Sequence, residues 1–232
     1  MVYGDRTLLR ALGLNPVAEP AINLPPAALR SSLESRRQIV FHPWASGDRA
    51  SFREWPQERW VQLGSRLNDS ETTILITGGP ADVDRCVQLQ ERLVASGIRT
   101  ETLCGRFDLR TVAVRLQTVD LVVSVNTGLM HLAAIVGAPT ASLNGPTATH
   151  RYGPVGPRAT SVEPEGGGGF LNFGFEFNGN STDTMLRITV DDVVEGVRWV
   201  APALVEAGVP PVLAQRHSTA YRMTLREGVP SR

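Results

Sequence analysis

The sequence of 232 residues lacks several features that would assign a protein to a class at once. It has no net charge, because 23 basic residues balance 23 acidic ones, so no overall field draws it to nucleic acid or to an anionic membrane. It has only two cysteines, Cys86 and Cys104, whose spacing fits no metal or redox motif. Two thiols in a chain of this size fit a reducing compartment, and we interpret both as small buried apolar residues.

Long apolar runs are also missing. The N-terminus has no apolar segment behind a basic start, and the most apolar later stretch, from Leu129 to Leu143, is interrupted by His131 and Pro139. The sequence therefore predicts neither a secretory signal nor a transmembrane helix. We expect a cytoplasmic protein, either free or held peripherally at the inner face of the membrane. The hydrophobic content of 42% is enough to bury a core.

Three regions differ in their pattern. Residues 1–37 combine a short helical piece at 7–12 with a Pro-rich stretch at 16–26, which predicts an interdomain linker. Residues 38–205 alternate short apolar runs with helical patterns, which predicts one α/β domain. Residues 206–232 carry several arginines and few acids, and we interpret them as a basic C-terminal tail.

Short apolar runs rich in β-branched residues predict buried parallel strands in the central region. The clear runs are 39–41, 73–76, 121–123 and 139–143, and weaker ones are 98–103 and 159–162. Helical patterns lie between them, behind Pro56 and from 83, 109, 127 and 190, the last reaching about 204 after a long loop at 166–183. This alternation predicts a doubly wound parallel sheet of the Rossmann-like class, in which ligands bind outside the carboxyl ends of the strands.

The strongest functional pattern follows the strand that ends at Val123. It reads as strand, tight turn and helix, with Asn126 or Thr127 suited to the N-cap and Gly128 allowing a ligand to approach the backbone. The free N–H groups of the first helical turn would offer a partial positive charge to a phosphate, with His131 nearby. Taken alone, the pattern also fits an ordinary capped helix with His131 packed at its edge.

Two further loops at predicted strand ends carry polar or basic groups. Ser46, Arg49 and Arg53 follow the first strand and precede Trp55-Pro56, which places a hydroxyl and two guanidinium groups where they can pair with a diphosphate. Gly145-Pro146-Thr147 follows the strand at 139–143. Taken alone, either loop also fits an ordinary solvated surface loop.

In combination these motifs resemble the carboxyl-terminal domain of glycosyltransferase family 9, the ADP-heptose:lipopolysaccharide heptosyltransferases and their relatives. The resemblance covers roughly residues 38–200, and its combination of motifs is far more specific than any one of them. Those motifs are a Pro-Gly-Ala-Ser-like turn, a basic residue before Trp-Pro, Gly-x-x-Asp at 79–82, Asn-Thr-Gly-x-x-His-Leu-Ala-Ala at 126–134 and Gly-Pro-Thr at 145–147. The resemblance implies the C-terminal half of a GT-B type glycosyltransferase.

The resemblance also implies roles for individual residues. Arg53 stands where the family commonly has a phosphate-contacting lysine, with Ser46 in the preceding turn. Asp82 matches the acid that contacts the nucleotide ribose, with Asp84 as the alternative, and residues 103–108 would border the base. The start of the diphosphate-binding helix is matched by Asn126, Thr127, Gly128 and His131.

Two departures from the family pattern affect this assignment. Many heptosyltransferases have aspartate at the position of Asn126, and asparagine keeps the cap while removing a negative charge beside a diphosphate. Diphosphate binding is thus physically undisturbed, whereas the donor sugar is left open. The longer loop between Ser46 and Arg53 leaves the alignment of Arg49 open as well.

The implied reaction is inverting sugar transfer from a nucleotide-diphospho-sugar, such as ADP-heptose, to a lipopolysaccharide-core, glycan or protein acceptor. In this architecture an N-terminal domain binds the acceptor and carries the catalytic carboxylate. Since the chain begins at what resembles the linker, we expect no catalytic base here and an N-terminal acceptor-domain protein as partner. Arg53, His131 and the helix N-terminus would stabilise the leaving diphosphate, and no cluster of His, Asp and Glu predicts a metal, so no cofactor is expected.

Other classes of protein compete with this interpretation. A non-catalytic nucleotide-sugar-binding module, or a truncated remnant that needs a separate acceptor domain, is the alternative, and an adjacent reading frame for such a domain would distinguish them. A nicotinamide-dependent oxidoreductase is disfavoured, because no Gly-x-Gly-x-x-Gly follows a strand and Gly78-Gly79 is followed by Pro80. An epimerase of related architecture would need acid-base groups on both sides of the cleft.

Overall fold

A computed structural model of the chain describes residues 22, 24–25, 36–47, 49–165 and 184–205. The helical piece predicted at 7–12, the long loop predicted at 166–183 and the basic tail predicted at 206–232 lie outside the described residues. No helix in the described ranges is both long and apolar enough to cross a membrane.

The described residues form one sheet of six parallel strands in the order β3-β2-β1-β4-β5-β6. The strands are β1 (Arg37–His42), β2 (Thr72–Ile76), β3 (Thr100–Thr102), β4 (Leu121–Val125), β5 (Thr140–Leu143) and β6 (Ala159–Val162). Every residue of β2, β4 and β5 is buried, which is why their sequences consist of apolar residues, Thr and Ser and do not alternate with charged residues. All the predicted strands are confirmed, although β3 is shorter than its predicted span.

Helices cover both faces of the sheet, which confirms the doubly wound arrangement. They are α1 (Gln57–Leu67), α2 (Val83–Ala95), α3 (Leu109–Leu116), α4 (Gly128–Ile135), α5 (Thr149–Tyr152), α6 (Thr184–Arg187) and α7 (Val190–Val200). Side chains of α1, α2 and α7 pack into one hydrophobic cluster with the sheet, while α3 and α4 pack into a second cluster. Short 3-10 turns lie at Ala50–Arg53, Pro80–Asp82 and Pro202–Leu204, and the last of them shows that α7 ends before the predicted 204.

Helices α1 and α2 pack against each other through a glycine. The apolar face of α1 that the sequence predicts is buried, from Trp60 to Leu67, and Gly64 lies within it. A Cβ on Gly64 would stand 2.8 Å from Cδ2 of Leu93, so glycine lets this leucine approach the α1 backbone. The buried side of α2 consists of Cys86, Leu89 and Leu93.

The interpretation of Cys86 and Cys104 as free thiols is wrong. Both side chains are buried, as predicted, but their sulfur atoms are joined in a disulfide with a Cα–Cα distance of 6.5 Å. The bond connects α2 to the residues that follow β3, across 18 positions of sequence. Neither cysteine belongs to a recognisable motif, so the spacing alone did not reveal that the fold brings them together. The inference of a reducing compartment loses its basis.

The order of the strands changes direction at one place in the sheet, between β1 and β4. Strands β2 and β3 lie on one side of β1, while β4 to β6 lie on the other. The registers set His42 of β1 opposite Ser124 of β4, so these two strands end level with each other. In an open parallel sheet the crevice beyond such a switch point is the expected ligand site.

Neighbouring positions on α2 test this packing. Leu93 is fully buried against α1, whereas Val94 is 55% exposed. We expect Leu93→Ala to lower the free energy of unfolding by about 2–5 kcal/mol, because it leaves a cavity between the helices. Val94→Ala, on the same helix, should change it by less than about 0.5 kcal/mol. Denaturant titration measures both, and equal effects would contradict the packing described.

Candidate functional site

The crevice beyond β1 and β4 opens onto the first turn of α4. Thr127 has extended backbone and is the N-cap residue of α4. Of the two residues that the sequence offered for this position, the structure thus selects Thr127 over Asn126. Its side chain makes no capping hydrogen bond, and its buried Oγ1 has no hydrogen-bond partner in the structure as described. The first N–H groups of a helix have no partner within it. The Thr127 hydroxyl and the first N–H groups of α4 therefore lie close together at the start of the helix.

Gly128 leaves the mouth of α4 open. A Cβ added to this residue would meet no atom within 4 Å, and the residue is exposed. The glycine is therefore not required by packing inside the protein. The space it leaves lies next to the helix N-terminus, where partial positive charge favours an anion.

Arg53 joins the two sides of the crevice. Its Nη1 donates to the backbone carbonyl of Asn126 at 3.1 Å, and its Nη2 donates to the carbonyl of Ser46 at 2.5 Å. The residue is 7% exposed, and burial lowers the pKa of its guanidinium while neighbouring Glu54 acts in the opposite direction. Guanidinium keeps its proton in proteins, so a positive charge lies buried beside α4. The loops that carry Arg53 and Asn126 were predicted to lie at the same edge of the sheet, and this hydrogen bond shows that they are in direct contact.

Asn126 connects these two loops to a third loop. Its side-chain Nδ2 donates to the carbonyl of Tyr152 at 2.6 Å, which ties the end of β4 to α5. A carboxylate has no N–H to donate and would face that carbonyl with a negative charge. The hydrogen bond therefore gives a physical reason for asparagine where the family often has aspartate.

Ser46 and His131 flank these groups. Ser46 is exposed, and its carbonyl is one of the two that accept from Arg53. His131 lies one residue beyond the first turn of α4 and is partly buried, and this burial lowers the pKa of its imidazole. A neutral imidazole still offers one N–H donor to a ligand.

Asp82 lies over the end of β2, apart from the α4 mouth. Its Oδ2 accepts a hydrogen bond from the N–H of Gly79 at 2.9 Å, and its Oδ1 lies 3.6 Å from Nη1 of Arg85. Asp82 is partly buried, whereas the alternative, Asp84, is exposed. The carboxylate is thus held in place by its own turn.

A network that sequence reasoning missed connects Asp82 to the loop that follows β1. Arg85 forms an ion pair with Glu54, and Oε1 of Glu54 accepts from the N–H of Ala45 at 3.1 Å. The Arg85 guanidinium also lies 4.1 Å from the ring centroid of Trp44. The only sequence signal was the spacing of three between Asp82 and Arg85 at a helix start.

Trp44 occupies the position of glycine in the Pro-Gly-Ala-Ser-like turn. It is 3% exposed, and a Cβ on Gly78 would lie 2.8 Å from its Cδ1. The tryptophan therefore fills the space between the ends of β1 and β2, and Gly78 is the residue that leaves room for it.

His42 lies in the floor of the crevice at the end of β1. Its Nδ1 is 3.0 Å from Oγ1 of Thr77, and the residue is 8% exposed. Burial lowers its pKa from 6.5 to about 4, although the Asp82 carboxylate and a hydrogen bond with the Thr77 backbone act in the opposite direction. The imidazole is therefore neutral near pH 7. In the described part of the chain, no group of three or more His, Cys, Asp or Glu is placed to hold a metal ion.

The fold and this crevice together define the class: an open parallel α/β sheet with a buried guanidinium and a helix N-terminus at its switch point. The chain belongs to glycosyltransferase family 9 (heptosyltransferase), whose model matches residues 16–166.

Curated relatives agree with this family but are longer than the matched region. Lipopolysaccharide heptosyltransferase 1 of Escherichia coli is 34% identical over 96 residues, which are 41% of this chain and 28% of that protein. Lipooligosaccharide heptosyltransferase 2 of Campylobacter jejuni is 23% identical over 97 residues, or 42% of this chain and 30% of that protein.

Solved structures support the fold. The heptosyltransferase WaaC of E. coli, solved with ADP, has a TM-score of 0.58 and 24% identity, covering 82% of this chain and 53% of that one. A family 9 glycosyltransferase of Veillonella parvula has a TM-score of 0.62 and 17% identity, covering 87% and 59%. The chain spans little more than half the length of these structures.

Buried neutral His42 makes stability depend on pH. In the folded protein its pKa is about 4, and 6.5 is its ordinary value, so between these values the unfolded chain binds the extra proton. The associated stability is present above pH 6.5 and is lost as pH falls through 4, an effect of up to about 3 kcal/mol. His42→Asn keeps a hydrogen-bond donor for Thr77 but has no group that titrates in this range. Its free energy of unfolding should therefore fall less between pH 7 and pH 4 than that of the wild type, as denaturant titrations at pH 7, 5.5 and 4 would measure. An equal fall in the free energy of unfolding for the wild type and His42→Asn would contradict the burial of a neutral His42.

Proposed function

We propose that this chain binds the nucleoside diphosphate of a nucleotide-sugar donor at the carboxyl ends of β1 and β4, in a sugar-transfer reaction of the heptosyltransferase type. The observation that carries the proposal is the mouth of α4, where the unpartnered Thr127 hydroxyl and the open space at Gly128 lie beside the buried charge of Arg53. The solved relatives that contain ADP or an ADP-heptose support this class of ligand.

The mouth of α4 suits a diphosphate because the positively charged groups there are already in position before the ligand binds. The helix N-terminus and a guanidinium held by two carbonyls need little reorganisation to face phosphate oxygens, and the buried Thr127 hydroxyl would reach them by rotation about its Cα–Cβ bond. As the sugar leaves, negative charge grows on the diphosphate, and these donors stabilise it more strongly than in the ground state. His131 would add one neutral N–H donor to this set.

The nucleoside belongs on the side of the crevice that Asp82 occupies. Hydrogen bonds within the turn after β2 orient its carboxylate, which can then accept from ribose hydroxyls. Residues 103–108 lie beside this turn, since the N–H of Gly105 donates to the carbonyl of Gly78 at 3.2 Å. They would form the wall against the base.

Transfer itself needs an acceptor hydroxyl and a group to take its proton. The solved relatives are almost twice as long as the region they share with this chain, and we name no catalytic base among the described residues. In this proposal a carboxylate outside the described sheet deprotonates the acceptor, a glycan or lipopolysaccharide core, in a single inverting displacement. The donor-binding step is the part that this chain can be tested for directly.

Gly128→Val tests the mouth of α4. The branched side chain would project into open space, so the fold should be retained, but it would obstruct the approach of phosphate to the helix N–H groups. We expect calorimetry to detect no ADP binding to this variant and an intermediate affinity for Gly128→Ala. A variant that unfolds like wild type and binds ADP normally would show that the phosphates bind elsewhere.

Arg53→Ala tests the buried charge. Loss of a charge-assisted hydrogen bond should cost about 1.5–3 kcal/mol, which is a roughly 10- to 150-fold higher Kd for ADP. Arg99 is an exposed arginine at the amino end of the edge strand β3, away from the carboxyl ends of β1 and β4, and Arg99→Ala should bind as wild type. Thermal unfolding of both variants separates loss of binding from loss of fold. Equal Kd values for Arg53→Ala and wild type would remove Arg53 from the site.

A further inference from the structure

The disulfide between Cys86 and Cys104 lies under the part of the crevice assigned to the nucleoside. Sγ of Cys104 is 3.1 Å from the position that a Cβ on Gly78 would take, and the indole Nε1 of Trp44 donates to Sγ of Cys86 at 3.1 Å. The bond therefore contacts the ends of both β1 and β2. It is also the covalent attachment of residues 103–108 to α2.

The two ends of the 103–108 segment are held differently: the later residues are anchored to α3, where Asp108 Oδ1 accepts from the N–H of Thr111 at 2.7 Å and the Arg115 guanidinium lies 4.4 Å from the Phe107 ring centroid. The segment follows β3, a three-residue strand at the edge of the sheet, and Gly105, Arg106 and Asp108 are exposed. Backbone hydrogen bonds run from Leu103 to the Ile76 carbonyl and from Gly105 to the Gly78 carbonyl. Residues 103–105, which these two backbone bonds join to the edge of the sheet, are thus the part of the segment whose position a cross-link at Cys104 constrains most.

We propose that Cys86 and Cys104 form a redox site that controls nucleotide affinity, with the disulfide holding residues 103–108 in the position that binds the base. This inference rests on the proposed nucleotide site. Reduction by a dithiol breaks the Sγ–Sγ bond: the reductant supplies two electrons and two protons, both cysteines become thiols, and the reductant closes to its own disulfide. A disulfide oxidant reverses the exchange.

The position of the disulfide predicts that reduction weakens binding of the base and leaves binding of the diphosphate unchanged. The diphosphate donors belong to α4, Arg53 and Thr127, which the disulfide does not touch, whereas the base wall depends on it directly. Once reduced, the segment holds the binding position for only part of the time, and the apparent Kd rises by the inverse of that fraction. Nucleotide binding should weaken on reduction, and pyrophosphate binding should not.

The test compares the full chain before and after treatment with dithiothreitol. Alkylation and mass spectrometry first count the thiols, with none expected before reduction and two after it. Calorimetry then measures ADP and inorganic pyrophosphate in both states. We expect a roughly tenfold higher Kd for ADP after reduction, as if the segment were ordered in about a tenth of the molecules, with an unchanged Kd for pyrophosphate.

The double variant Cys86→Ser/Cys104→Ser is the matched control. It should bind ADP like the reduced protein and should not respond to dithiothreitol. Hydrogen exchange at residues 103–108 gives a readout that needs no ligand, and exchange should accelerate on reduction. Two free thiols before treatment, or equal ADP affinity and equal exchange in both states, would overturn the inference. Absence of ADP binding in both states would overturn the proposed function, while exchange would still report whether the disulfide orders the segment.

Discussion

The buried guanidinium of Arg53 is the contact on which the site depends. It donates to carbonyls in the loops after β1 and β4, and the second of these loops in turn holds α5 through the Asn126 amide. Three loops from three strands are thereby fixed relative to one another at the switch point. A charge buried without partners would be expensive, but here each hydrogen bond that offsets the cost also sets the shape of the crevice.

The charges of the crevice follow from the same arrangement. His42 and His131 are buried enough to be neutral at pH 7, so the positive potential comes from Arg53 and from the α4 N-terminus. Asp82 carries the negative charge, on the β2 side, where Arg85 offsets it. In the proposed function, phosphates would face the Arg53 side and ribose hydroxyl groups the Asp82 side, which is the order of groups along a nucleoside diphosphate.

Much of the fold was predictable because it rests on local patterns. Continuous β-branched runs gave the strands, and the apolar face from Trp60 to Leu67 gave α1, since burial imposes these patterns directly on sequence. Contacts between distant loops leave no such pattern. The Cys86–Cys104 bond, the stacking of Arg85 on Trp44 and the Asn126 amide at Tyr152 join residues that only the folded sheet brings together. Most site residues were found because they follow predicted strand ends, Asp82 came from the resemblance to the family, and the roles of all of them stay predictions.

A crystal structure of the chain with ADP would test the central claim most directly. The account predicts the diphosphate at the mouth of α4, with phosphate oxygens about 3 Å from the first helical N–H groups and from Thr127 Oγ1. It also predicts the ribose on the side of Asp82. ADP bound away from the carboxyl ends of β1 and β4, or bound there with its phosphates directed away from α4, would contradict the account.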